Sequence, residues 1–131
     1  MKVLLDTHIW LWWVLEPTRV GRAAREVISS PENHILLSAV STLEVVIKVA
    51  LGRLDVPGGP LQFYADSLAE DGFESLSITP QHTLELLSLP PIHKDPFDRL
   101  LVAQAIYEKA VLVSADAWFK EYPVALIQGE D

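Results

Sequence analysis

The chain contains no cysteine. That excludes disulfides, thiolate-bound zinc and a cysteine nucleophile, and it fits a cytoplasmic protein. Nor is there an apolar run near the roughly 20 residues needed to cross a bilayer, because Asp6, Glu16 and Arg19 interrupt the apolar N-terminus. The same start lacks a basic n-region and a small-residue cleavage site, so neither a secretory signal nor a membrane partner is expected. Basic residues are scarce: 10 Lys and Arg stand against 18 Asp and Glu, a net charge of −8. A sequence-independent nucleic-acid binder would normally show a basic face. That exclusion weakens if several acids share one cation site. Setting Asp6, Glu44, Asp95, Asp98 and Asp116 aside from the 18 acids leaves 13 against 10 bases, so the acidity can mark a cation site rather than an acidic surface.

What is present suits one domain over residues 1–131 with a single sizeable core, since half of the 131 residues are apolar. Val3-Leu4-Leu5 reads as a buried strand ending at Asp6, and Thr7 to Leu15 as a helix stopped by Glu16-Pro17. Arg22 to Ser29 is a second helix and His34 to Leu37 a second buried strand. A long helical pattern runs from Ser38 to a terminal Gly52. After the loop Pro57-Gly58-Gly59-Pro60, the spacing predicts a helix over Leu61 to Glu70, a strand over Phe73 to Ile78 and a helix over Pro80 to Leu87 capped by Thr79. The loop Ser88 to Lys94 leads to a helix opened by Asp95-Pro96. A strand at Val111 to Val113, a short helix from Ala115 and a last strand near Val124 to Ile127 complete the chain. Strands alternating with helices imply the α/β class, a central mostly parallel sheet covered on both faces. Ligands then bind beyond the carboxyl ends of the strands.

Several acids fall there. Asp6 follows the first strand directly, and Asp116 lies three residues past Val113 with Ser114 between. On the long helix Ser41, Glu44 and Lys48 form one narrow polar stripe at 100° per residue, and the apolar remainder implies a mostly buried helix. Asp98 falls in the arc of Leu101, Val102, Ala105 and Ile106, where an unpaired charge is costly unless it is hydrogen-bonded or holds a metal. Asp95 is better placed to cap the helix, with Pro96 at the first helical position. Each acid also has a bland explanation. Asp6 and Asp116 could cap or form turns, and Glu44 could simply pair with Lys48 at i,i+4, a contact worth about 0.2–0.5 kcal/mol. Clustered carboxylates repel, and a hard divalent cation reverses that penalty. All-oxygen donors without cysteine or paired histidine point to Mg²⁺, with Mn²⁺ as a substitute.

Four segments together, VLLDTHIWLW at Val3 to Trp12, SAVSTLEVVIKVALGRL at Ser38 to Leu54, HKDPFDRLLVAQA at His93 to Ala105 and LVSADAWF at Leu112 to Phe119, resemble the PIN-domain nucleases, specifically the VapC-type toxins of toxin–antitoxin pairs. The resemblance covers nearly the whole chain in order. It implies a magnesium-dependent endoribonuclease neutralised by a small antitoxin, with Asp6, Glu44, Asp98 and Asp116 as the acidic constellation. Asp6 and Asp98 would be the principal metal ligands, Glu44 would hold a metal water, and Asp116 would complete the site or bind a second ion. Thr7 and Ser114 could orient a carboxylate or contact phosphate, or simply be turn hydroxyls. Lys48, Lys94 and Arg99 are candidates for the RNA backbone, and His93 could meet RNA at the loop. Trp10, Trp12 and Trp13 cannot all enter one core face, so the remainder would form a patch for the antitoxin or for a second copy in a homodimer. Two rival classes are weighed. A receiver or HAD-type phosphoaspartate domain also places Asp after strand one, but here Thr7-His8 follows instead of a second Asp two residues on. A non-catalytic PIN-fold interaction module would have little use for the acidic set.

Overall fold

A computed structural model describes residues 1–92 and 95–131. Five parallel strands form one sheet in the order β3-β2-β1-β4-β5: β1 Lys2–Leu5, β2 His34–Ser38, β3 Glu74–Leu76, β4 Val111–Ser114 and β5 Leu126–Gln128. The helices are α1 Thr7–Leu15, α2 Arg22–Ser29, α3 Ala39–Ala50, α4 Gly59–Glu70, α5 Pro80–Glu85 and α6 Pro96–Glu108. Among the described residues no helix is long and apolar enough to cross a membrane.

The two-residue period of the strands sorts their side chains between two cores. Val3, Leu5, Leu37 and Val113 meet Ile9 and Trp10 of α1, Ala24 and Ile28 of α2, and Phe63 of α4. Leu4, Leu36 and Leu112 meet Leu101, Val102 and Ala105 of α6, with Phe119 and Tyr122. Burial on both faces is why β1 and β4 read as unbroken apolar runs rather than alternating ones. The register sets Leu4 between Leu36 and Leu112. β2 and β3 therefore lie on one side of β1, and β4 and β5 on the other. The sheet changes direction beside β1, and the crevice it opens lies past the carboxyl ends of β1 and β4. This strand order also differs from the 2-1-3-4-5 order of receiver domains, which counts against the receiver form of the phosphoaspartate rival.

Several sequence expectations need correction. α3 is not mostly buried: it buries Val40, Ser41 and Val45, while Leu43, Val46 and Ile47 are 43%, 49% and 38% exposed. The helix packs at the rim, touching α1, α4 and α6 along one stripe only. α4 starts at Gly59, inside the expected loop, because Gly58 and Gly59 supply left-handed backbone at φ 77° and 85°, which glycine adopts without a Cβ clash. The helix expected from Ala115 is a 3₁₀ turn over Ala117–Glu121, and the last strand begins at Leu126. Gln104 of α6 is fully buried. It accepts from Ser38 Oγ at 2.5 Å and donates to Ser77 O at 3.3 Å.

Candidate active site

One cavity of about 380 Å³ lies over the crevice, lined by Asp6, Glu44, Asp95, Asp98 and Asp116 together with His8, Lys48 and Trp118. The fold brings these acids together from four places. Asp6 is held where β1 turns into α1, its backbone N–H donating to Val113 O at 3.0 Å. Its side chain makes no capping bond to α1, so the capping explanation fails. Instead its Oδ2 accepts from Ser114 Oγ at 2.7 Å, and Ser114 in turn accepts from the Asp116 N–H at 3.0 Å. That chain of bonds ties the end of β1 to the end of β4. Asp6 is only 4% exposed. Burial pushes its carboxyl above the ordinary value of 3.8, with nearby Asp116 adding to the rise and the Ser114 hydroxyl and His8 opposing it.

Glu44 reaches the cavity from the first half of α3. The Thr7 hydroxyl lies 3.1 Å from its Oε1 and 2.8 Å from Ser41 Oγ, and Lys48 Nζ stands 3.9 Å from Oε2. The polar stripe on α3 thus has a local reason: Ser41 backs Thr7, Thr7 orients Glu44, and the i,i+4 pair with Lys48 is long. Burial is the main cause that raises the Glu44 carboxyl, and the charges of Asp6 and Asp95 add to it. Repulsion across the cavity thus runs between Glu44 and both Asp6 and Asp95, and between Asp6 and Asp116.

Asp95 caps α6 as expected, its Oδ1 accepting from Phe97 N–H at 2.9 Å and Asp98 N–H at 3.4 Å. It also faces the cavity, so capping and site duties coincide in one carboxylate. Asp98, one turn in, is half-buried beside it. Asp116 caps the 3₁₀ turn by accepting from Trp118 N–H at 3.0 Å, again without leaving the cavity wall. As the side chains are oriented, no three acids or histidines among the described residues stand within reach of one shared ion.

The supporting candidates divide. Thr7 and Ser114 are buried behind Glu44 and Asp6 and act on those carboxylates. Lys48 lines the cavity. Arg99 lies outside the lining and donates to Pro90 O at 3.4 Å. Lys94 and His93 lie outside the described residues. Trp10 is not available to a partner: it is 1% exposed and donates from Nε1 to Ser67 Oγ at 2.9 Å. Trp12 and Trp13 are only partly buried, Trp12 under the Arg19 guanidinium and Trp13 against Phe73. Sequence reasoning missed His8 and Trp118 as lining residues. His8 follows Thr7 and Trp118 lies two residues past Asp116, and the turns after β1 and β4 were the signal that could have placed them.

An all-parallel sheet with acids from β1, α3, α6 and the β4 turn at its carboxyl edge is a nuclease-like α/β class of site, and the comparisons define it further. The chain belongs to the PIN-domain family, whose model matches residues 3–125. Within that family it is a relative of the VapC proteins, being 32% identical over 115 residues to Ribonuclease VapC22 of Mycobacterium tuberculosis, across 87% of this chain and 86% of the relative. Among solved structures, a chain of VapBC2 from Rickettsia felis bound to a promoter DNA fragment aligns with a TM-score of 0.77 at 17% identity, covering 99% of this chain and 100% of that one. A chain of FitAcB from Neisseria gonorrhoeae aligns at 0.63 with 19% identity and 96% of each chain covered. At such identities the structural matches speak for the fold.

Proposed function

We propose that this chain is a divalent-metal-dependent endoribonuclease toxin, held in check by a cognate antitoxin. The observation that supports the reading most is the gathering of Asp6, Glu44, Asp95, Asp98 and Asp116 on the wall of one cavity, where the charges of Asp6 and Asp95 add to the rise of the Glu44 carboxyl and that of Asp116 to the rise of Asp6. A fold does not gather like charges there without a compensating ligand. The donor set is all oxygen and fits a hard cation, Mg²⁺ or Mn²⁺. Asp6 and Asp98 are the proposed principal ligands, with Glu44 and Asp116 completing the set; rotation of side chains that already share one cavity wall is the adjustment required. Bound there, such an ion supplies an activated water and counter-charge for a phosphoryl group.

The chain's own residues do the remaining work. Ser114 and Thr7 fix the rotamers of Asp6 and Glu44 by hydrogen bonds and thereby preorganise two carboxylates that would otherwise turn away from each other. Glu44, with its carboxyl raised by burial, is suited to accept a proton from an attacking water and return it to the leaving oxygen. Lys48 offers a positive charge to the RNA backbone. The relative Ribonuclease VapC22 and the toxin–antitoxin complexes among the structural neighbours support the RNA substrate and the protein partner. A homodimer is proposed as the free form.

Incubating the purified chain with cellular RNA, with and without Mg²⁺, tests this. Cleavage is expected only with the metal, and Asp6→Asn and Asp98→Asn are expected to lower it more than about 100-fold. Cleavage that survives chelation or both substitutions would reject the mechanism.

A further inference from the structure

A second groove, of about 350 Å³, runs from the acidic cavity along α1 and the end of α3. The two share His8 and Lys48 in their walls, so they form one continuous track. The groove adds Trp12 from α1 and Arg53 from the turn after α3. Glu16 also borders it, but its carboxylate is engaged by Arg19 at 3.4 Å. Arg19 in turn lies over the Trp12 ring at 4.0 Å from its centroid, which fixes the indole and places a further positive charge beside it. Among the described residues Arg53 has no side-chain partner in a hydrogen bond or ion pair. In a chain of net charge −8 with 10 Lys and Arg, a groove that gathers His8, Lys48 and Arg53 with a Trp12 ring covered by Arg19 departs from the average surface.

We propose that this groove is a single-stranded RNA subsite that holds the nucleotides flanking the scissile phosphate, with Lys48 and Arg53 on backbone phosphates and the Trp12 indole against a base. The inference rests on the RNA-cleaving reading above and adds the path of the substrate to it. A positively charged track interleaved with an aromatic ring is the chemistry that binds single strands without sequence readout, because every base has a π face and every nucleotide a phosphate. Lys48 sits where the two sites meet, next to Glu44, so it bridges the track to the acids. The sharing of walls explains how an acidic protein tolerates a polyanion: repulsion is confined to the cleft, and attraction to its approach.

The test uses the full chain with a labelled single-stranded oligouridine RNA. Equilibrium binding is measured in an Asp6→Asn background with Mg²⁺ at several salt concentrations, and kcat and KM for RNA cleavage in the otherwise native chain. Arg53→Glu is expected to weaken binding roughly tenfold, reduce the salt slope by about one, and raise KM with kcat little changed. Trp12→Leu is expected to weaken binding roughly fivefold or more and leave the salt slope alone. Should Trp12→Leu unfold, Arg53→Glu carries the test, since that side chain is exposed and unpaired among the described residues. RNA affinity and KM unchanged in both variants would overturn the subsite while leaving cleavage intact. Loss of self-association at unchanged RNA affinity would mark the groove as a protein interface and overturn it equally. A native chain that neither binds nor cleaves RNA would instead defeat the underlying reading and the groove with it.

Discussion

Asp6 holds a buried carboxyl beside the charge of Asp116, and its isostere tests what that burial costs. Asparagine keeps an acceptor for the Ser114 hydroxyl but removes the buried charge. Because burial raises the Asp6 and Glu44 carboxyls above their ordinary values of 3.8 and 4.5, the folded chain holds these protons more tightly than the unfolded one. The resulting cost is therefore absent at acid pH and appears as pH rises through the raised pKa values. Asp6→Asn is expected to raise the metal-free melting temperature at neutral pH, by about 4 °C for each kcal/mol of repulsion removed, and to flatten its fall with pH. Glu108 runs the other way. A hydrogen bond from His82 Nε2 at 2.8 Å, helped by Lys2 at 3.1 Å, holds its carboxyl below the ordinary 4.5. Its contribution is complete above that value and is lost as pH falls through the lowered one, so Glu108→Gln should blunt acid unfolding in a thermal-melt series. At this scale the acids were legible in the sequence, since each sits at a strand end or on an otherwise apolar helix face. The His82–Gln104–Ser38 cluster was not, because its members are brought together only by tertiary packing: 66 residues separate Ser38 from Gln104.

Between elements, two contacts govern how the acid-bearing segments sit. Gln104 on α6 meets Ser38, whose hydroxyl also accepts from Val40 N–H at 2.9 Å to cap α3, so one side chain sets the helix of Asp98 against that of Glu44. Gln104→Ala leaves the buried Ser38 hydroxyl without its acceptor and is expected to cost about 1–3 kcal/mol in urea unfolding. A cost no larger than that of a surface change would show that α3 and α6 are registered by packing alone. Gly129 performs the matching task for β4: its N–H donates to Ser114 O at 2.8 Å, and an added Cβ would lie 2.2 Å from Ile9 Cδ1. Gly129→Ala should therefore displace Ile9 or the Ser114 end of β4 and destabilise by about 1–3 kcal/mol. The strands and most helices could be read from apolar periodicity and capping residues. The 3₁₀ turn after β4 and the start of α4 could not, because they depend on Asp116 bonding to its own backbone and on left-handed glycines. The exposure of α3 was misread for a related reason: periodicity reports which face is apolar, not whether another element covers it.

Across the whole molecule, the site and a large apolar surface are separate. Five acids face the crevice, and the apolar surface is formed by Val46 of α3 with Leu61 and Tyr64 of α4, beside Val45. Leu61 is 83% exposed, and a patch of this kind on a folded chain marks a protein contact. If the proposed antitoxin covers it, Leu61→Asp and Val46→Asp should each weaken the complex more than about tenfold in a binding titration and leave RNA cleavage by the free chain unchanged. Complexes of native affinity in both variants would place the partner elsewhere. The central claim, that the separated acids form one site for a hard dication, is tested most directly by calorimetric titration of the metal-free chain with Mn²⁺. The account predicts saturable binding that raises thermal stability and disappears in Asp6→Asn. Absence of binding by the native chain, or equal binding by the variant, would contradict it.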